Sequence, residues 1–167
     1  TLKPADVLIV DAGHTFRRSH TLGEDERAER EAKARLIAEG LVIGGVDAMM
    51  PGRGDFAFGR PFLESVGKEF ALPYVLSNVE CSPHLPWPAS RSFERNGVKI
   101  VVYGIANPSL DLPGCTVTDP GALLESVHPD DTVVIVLSDL DRGRDVDLAK
   151  RATGVDFIVR SDSIEGL

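Results

Sequence analysis

The sequence predicts an α/β protein: a layered β-sheet flanked by helices, with one inserted hairpin. Three features carry that expectation. Apolar runs of strand length end in turn-forming residues, as strands buried on both faces do. They alternate along the chain with segments of helical periodicity, the order that gives a layered α/β sheet. One Asn-Gly pair, Asn96-Gly97, separates two strand-like segments, the strongest short hairpin signal.

Taken in order, Asp6–Asp11 reads as a first strand buried on both faces, closed by an Ala12-Gly13-His14 turn. A polar loop precedes a helix over 24–39. That helix is supported by acid-first i,i+4 pairs Glu26–Arg30, Glu29–Lys33 and Glu31–Arg35, with Ala28, Ala32, Leu36 and Ile37 as its apolar stripe. Gly40 is its expected stop, and the charged face is expected to be solvated. Pro61 near the first turn, with Phe62, Leu63, Val66 and Phe70 at helical spacing, predicts a second helix over 60–69. Residues 74–79 read as a strand and 81–90 as a proline-bearing loop. The hairpin over 92–103 follows, then a short helix from Asp119-Pro120 to about Val127. Strands over 132–137 and 155–160 flank a helix over 145–152.

At 167 residues the chain fits one domain, 1–167, able to bury a core. No apolar run approaches the ~20 residues of a membrane span. A nucleic-acid binder presents a basic face, and a net charge of −8 argues against that class. The chain opens with Thr1, so it is expected to be a processed or excised piece. Two cysteines, Cys81 and Cys115, are too few for a disulfide framework. Each follows a strand, in loops expected at the same end of the sheet. They pair if the protein is exported and stay as thiols in a reducing compartment.

The remaining stretch, Gly45 to Gly59, runs from an apolar segment into a charged turn with two glycines and leaves through Phe56-Ala57-Phe58-Gly59. It resembles the Gly-Asn-His-Glu loop of calcineurin-like metallophosphoesterases, in the 5′-nucleotidase branch. The frame matches at Gly45, Asp47, Ala48, Met49, Gly52, Phe56 and Gly59. Arg53 stands where that family has a metal-binding Asn, Gly54 where it has the catalytic His, and Asp55 where it has Glu. The segment 8–13 is similar to the strand ending in Asp-Ala-Gly-Asp, with His14 in place of the metal-bridging Asp. Segments 76–79 and 98–108 resemble two further family strands. Val134 to Leu140 resembles the Leu-Ser-His-Leu motif, with Asp139 for the metal-binding His. Gly154 to Ser163 resembles the final His-Ser-His motif, with Asp162 and Ile164 at the two His positions.

The resemblance implies a 5′-nucleotidase-type sheet flanked by helices, truncated at both ends, because family members add strands before and after. Two-metal ester hydrolysis needs several ligands converging on two ions about 3.5–4 Å apart. Here His14, Asp139 and Asp162 are the remnant ligand positions, and Arg53 and Arg160 are new cations at neighbouring strand ends. Either these arginines form an anion pocket, or they neutralise Asp55, Asp139 or Asp162 in place of lost metal charge. The leading reading is a non-catalytic module without cofactor, structural or for interaction, joined to another protein chain or an adjoining domain. The alternatives are a divergent phosphohydrolase holding one divalent ion such as Mn²⁺ or Zn²⁺, and an anion-binding module. The resemblance also implies a periplasmic or extracellular address. Ser138 and Ser163 lack a Ser–His–acid arrangement, so no serine nucleophile is expected. His20, His84 and His128 have no ligand-spaced partner, and Trp87 is expected to cap a loop cluster.

Overall fold

The structure is a computed structural model that describes residues 6–125 and 132–161. Its elements are β1 (Val10–Asp11), α1 (Arg27–Gly44), β2 (Ala48–Met49), α2 (Arg53–Phe56), α3 (Arg60–Glu69), β3 (Val79–Cys81), β4 (Ser90–Arg95), β5 (Val98–Ile105), β6 (Cys115–Val117), α4 (Pro120–Glu125), β7 (Thr132–Ser138), α5 (Arg142–Arg151) and β8 (Phe157–Arg160). β4, β5, β7 and β8 are neighbours in that order; β4–β5 is the antiparallel hairpin, and β5–β7–β8 run parallel. Asn96 and Gly97 both take positive φ, as the tight hairpin turn requires. β1 pairs parallel with β2, and Met49 bridges on to Tyr74. The line continues through Ser77, whose N–H bonds the Gly104 carbonyl of β5.

Successive residues of a strand face opposite sides of a sheet. Accordingly Ile135 and Leu137 of β7 join one core cluster with Met49, Leu63 and Tyr74. Val134 and Val136 join the other, with Leu124 of α4 and Leu148 of α5.

Several elements depart from the sequence reading. The first strand is only two residues long and is not buried on both faces. It pairs with β2 alone among the described residues, and Ile9 is 43% exposed. α1 runs through Gly40 to Gly44. Gly40 lies on the open side with no atom within 4 Å, so nothing forces a stop there. The left-handed residue that ends a helix is Gly45, at φ 74°, whose N–H returns to Leu41 and Val42 carbonyls. The apolar stripe is also rotated. Ala34 and Ala38 are the buried positions, whereas Leu36 is 68% exposed. Small residues face inward because they let the helix lie close against the core. Glu26 pairs with Arg30, but Arg35 leaves the helix surface for Glu69 on α3 and for the Phe62 ring.

The 74–79 strand is broken. Tyr74 makes one bridge, and regular pairing resumes at Val79 because β3 turns to meet β6. Both cysteines therefore lie in strands, not loops, directly opposite each other and joined by a disulfide. β6 has no apolar run to announce it. The expected loop after Met50 contains α2, a single helical turn starting at Arg53. Trp87 packs on Tyr74 and Phe56, closing the loop cluster.

Candidate functional site

The residues of the candidate site come from the carboxyl ends of strands, from the turns that follow them, and from the first turns of α2 and α5. After β1 the chain reverses through Gly13 and His14, at φ 98° and 58°. A non-glycine residue in that region is uncommon, and His is among the types that tolerate it. The turn is packed against the one after β2. A Cβ on Gly13 would lie 2.7 Å from the Gly52 nitrogen, and one on Gly54 would lie 1.9 Å from the Arg17 carbonyl oxygen. Gly52-Arg53-Gly54 is thus a close-approach loop that seats the His14 turn.

Asp139, one residue beyond β7 and 2% exposed, is the centre of the arrangement. Its Oδ1 accepts a hydrogen bond from His14 Nε2 at 2.6 Å and one from Ser161 Oγ at 3.4 Å. Its Oδ2 accepts from the Arg53 backbone N–H at 2.9 Å, and the Arg53 guanidinium Nε lies 3.4 Å from the same oxygen. Asn107 Nδ2 bonds the Asp139 carbonyl. Because a carboxylate only accepts, Nε2 of His14 carries the proton. Burial disfavours the imidazolium, but the hydrogen bond and charge of Asp139, with Asp55 adding, outweigh it and raise the His14 pKa. Nδ1 of His14 is buried without a hydrogen-bond partner among the described residues.

Asp55 is fully buried, and two backbone N–H groups hold its carboxylate: Phe16 to Oδ1 at 2.8 Å and Gly52 to Oδ2 at 2.9 Å. Burial nevertheless pushes its pKa up to about 6. The expectation of a guanidinium on Asp55 therefore gives way to backbone capping, since Asp55 is the third residue of α2 and reaches back to its first turn. Arg160 does not join Arg53. Its Nε pairs with Asp145 Oδ2 at 3.1 Å, and Ser138 Oγ donates to the other oxygen of Asp145 at 2.6 Å. Burial raises the Asp145 pKa, with Ser138 and Arg160 opposing.

The structure thus brings together His14, Asp139 and Arg53, and sends Arg160 elsewhere. Asp162 and His128 lie outside the described residues. Asp145, Ser161 and Asn107 were not singled out from sequence, where they read as a helix residue and two loop residues. Only their contacts across neighbouring strand ends reveal them. Arg53 also borders an open cavity of about 260 Å³ with His20, Phe56, Ser109 and Leu110.

No family model matches the chain, and no curated protein matches its sequence. Solved structures do. The sulfate thiohydrolase SoxB of Thermus thermophilus superposes with a TM-score of 0.72 at 21% identity, covering 92% of this chain and 29% of that one. The fold is that of the 5′-nucleotidase-like metallophosphoesterases. A 5′-nucleotidase precursor, also from Thermus thermophilus, gives 0.71 at 24% identity, over 95% of this chain and 33% of that one. The NAD nucleotidase NadN of Haemophilus influenzae gives 0.75 at 18%, over 93% and 29%. The chain therefore spans about a third of the length of these nucleotidase-fold proteins.

The family resemblance implies a pair of metal ions at these strand ends; among the described residues there, Arg53, His14 and Asp139 are bonded to one another. Among the described residues no three His, Cys, Asp or Glu side chains group as metal ligands. Both oxygens of Asp139, the matched ligand position that carries a carboxylate among the described residues, already face donors, and one of these is a guanidinium.

Proposed function

We propose that this chain is a non-catalytic module of 5′-nucleotidase-like fold, acting as a structural or interaction unit beside an adjoining domain or another protein chain. The observation that carries this is the seating of Arg53 and His14 on the two oxygens of Asp139. Protein-borne positive charge stands where the fold's hydrolases concentrate metal charge, which supports a role other than activating water and clamping a phosphate. The Cys81–Cys115 disulfide favours an oxidising compartment, the periplasm or the exterior. The test is metal analysis of the purified chain together with turnover of a nucleotide and a generic phosphate ester in Mn²⁺ and Zn²⁺. The expected result is no stoichiometric metal and no turnover above the buffer rate. Two ions per chain with metal-dependent hydrolysis would overturn the reading.

One observation bears on the second reading, an anion-binding module: the Arg53 cavity also holds His20 and Ser109, with Asp111 on its wall opposing an anion. Saturable binding of inorganic phosphate, lost in Arg53→Ala with the fold intact, would establish it.

A further inference from the structure

Outside the carboxyl ends of β5 and β7, where parallel-sheet proteins take their ligands, lies a cavity of about 350 Å³ between α4 and α5. It shares no lining residue with the Arg53 cavity. Pro108 and Leu140, in the segments that follow the two strands, border it, and buried Leu140 and Leu148 form its apolar floor. Its charged lining is one face of α5. Arg144, Asp147, Leu148 and Arg151 recur at the three- and four-residue spacing that sets side chains on a single side. Asp147 thus has an arginine one turn away in either direction.

The charged groups are placed for contact. Glycine is a poor helix former, yet Gly121 occupies the first turn of α4. A Cβ there would lie 2.2 Å from Arg151 Nη2, so the guanidinium rests in the space that the missing side chain leaves. Asp119 Oδ1, which accepts from the Gly121 N–H, borders the same space at 2.8 Å. Asp147 pairs with Lys150 at 3.3 Å, but the two side chains are 72% and 70% exposed, and an exposed pair parts at little cost.

We propose that this cavity binds a small zwitterion with an apolar body, an α-amino acid of leucine's kind. Its ammonium sits on Asp147, its carboxylate on Arg151 and its side chain on Leu140 and Leu148. Residues four apart on a helix hold their Cβ atoms ~5–6 Å apart, which suits the adjacent charges of an α-amino acid. The two arginines and two aspartates of the lining cancel. An inorganic anion meets Asp119 and Asp147 there, and an amine meets both arginines. An uncharged ligand leaves all four charges to be desolvated without partners. A ligand with both charges and an apolar part answers the whole lining.

Ligand-observed NMR titration of the full chain with L-leucine tests this, beside isocaproate, which lacks the ammonium, and isoamylamine, which lacks the carboxylate. Leucine is expected to bind saturably with a Kd of about 1 mM, as suits a ligand so small. Each half is expected to bind about tenfold more weakly. Asp147→Asn is expected to weaken leucine about tenfold and to leave isocaproate as it was. Gly121→Ala favours the helix but takes the place of the Arg151 guanidinium, so it is expected to weaken leucine and isocaproate alike while Tm holds or rises. Leucine that fails to saturate, a half that binds as tightly as leucine, or leucine binding that survives both substitutions overturns the proposal. Should Gly121→Ala lower Tm, Asp147→Asn decides, because its side chain is exposed on α5.

Discussion

His14 and Asp139 meet at 2.6 Å between Nε2 and Oδ1, although 125 residues separate them in the chain. The contact ties the turn after β1 to the end of β7, across the strands that lie between them. A carboxylate buried to this degree is costly unless cations or several donors hold it. Here a histidine whose proton is held more tightly than usual and a guanidinium do so together. The two groups complement each other: Arg53 brings permanent charge, and His14 brings a short, directed hydrogen bond.

Arg53→Ala is expected to destabilise the domain by about 2 kcal/mol. It leaves Asp139 buried with one cationic partner, and breaking a buried pair costs more than the pair contributes. Arg160→Ala is expected to cost less, since its side chain is 35% exposed and Asp145 keeps the Ser138 bond. Chelator is expected to leave the melting temperature unchanged. Calorimetry with and without EDTA checks all three; a chelator-sensitive Tm restored by Mn²⁺ or Zn²⁺ would show a metal centre instead.

Much of the fold was legible because its signals are local. The Asn96-Gly97 hairpin, the apolar run of β7 and the Pro61 helix start each follow from a few adjacent residues. What was missed depends on tertiary position. Whether Ala34 or Leu36 faces inward is set by how closely α1 approaches the core, and both rows are apolar in sequence. β6 exists because the disulfide partner and β3 lie beside it, not because Cys115-Thr116-Val117 is a strong strand former. At the site, motif matching located Arg53, His14 and Asp139 but assigned Arg160 to the same cluster. Asp145, one turn into α5, intercepts it, and no sequence spacing announces that pairing.

Two glycine substitutions are expected to act in opposite directions. Gly54→Ala places a Cβ 1.9 Å from the Arg17 carbonyl oxygen and 2.8 Å from His14 Nδ1. The first obstacle is backbone, so the interlocked turns must separate, at an expected cost above about 3 kcal/mol. Gly40→Ala meets nothing within 4 Å inside α1 and is expected to stabilise the chain by about 0.5–1 kcal/mol. Thermal unfolding compares them. Equal effects would mean that the Gly52–Gly54 loop yields more readily than its contacts indicate.

Cys81 and Cys115 stand opposite each other in β3 and β6, closing a loop with a sequence separation of 34. In the chain-entropy model a loop of this size is worth about 4 kcal/mol. Replacing both cysteines by serine is expected to lower stability by up to that amount while leaving the β4–β5–β7–β8 sheet folded. Thiol titration of protein isolated without reductant is expected to find no free thiol, and recovery of two would remove the cross-link from the account.

The domain is expected to lose stability as pH rises from about 4 to 8. Asp55 holds its proton up to about 6 in the folded chain because burial opposes its ionisation, whereas an unfolded aspartate ionises near the ordinary carboxylate value. Between those values the folded state binds the proton and the unfolded state has released it, so each step up in pH favours unfolding. Across that window the loss attributable to Asp55 is about 3 kcal/mol. His14 adds a second limb. Its folded pKa lies above 6.5, so its contribution is complete below that value and disappears as pH rises through the folded one. Asp145, also raised, pushes the same way as Asp55. Half-buried Glu26, lowered by its hydrogen bond with Arg30, opposes them. Tm measured in steps between pH 4 and 8 is therefore expected to fall, with Asp55→Asn flattening the acid limb and His14→Gln the neutral one. A Tm that rises over this range, or an acid limb unchanged in Asp55→Asn, would place the governing protons on other groups.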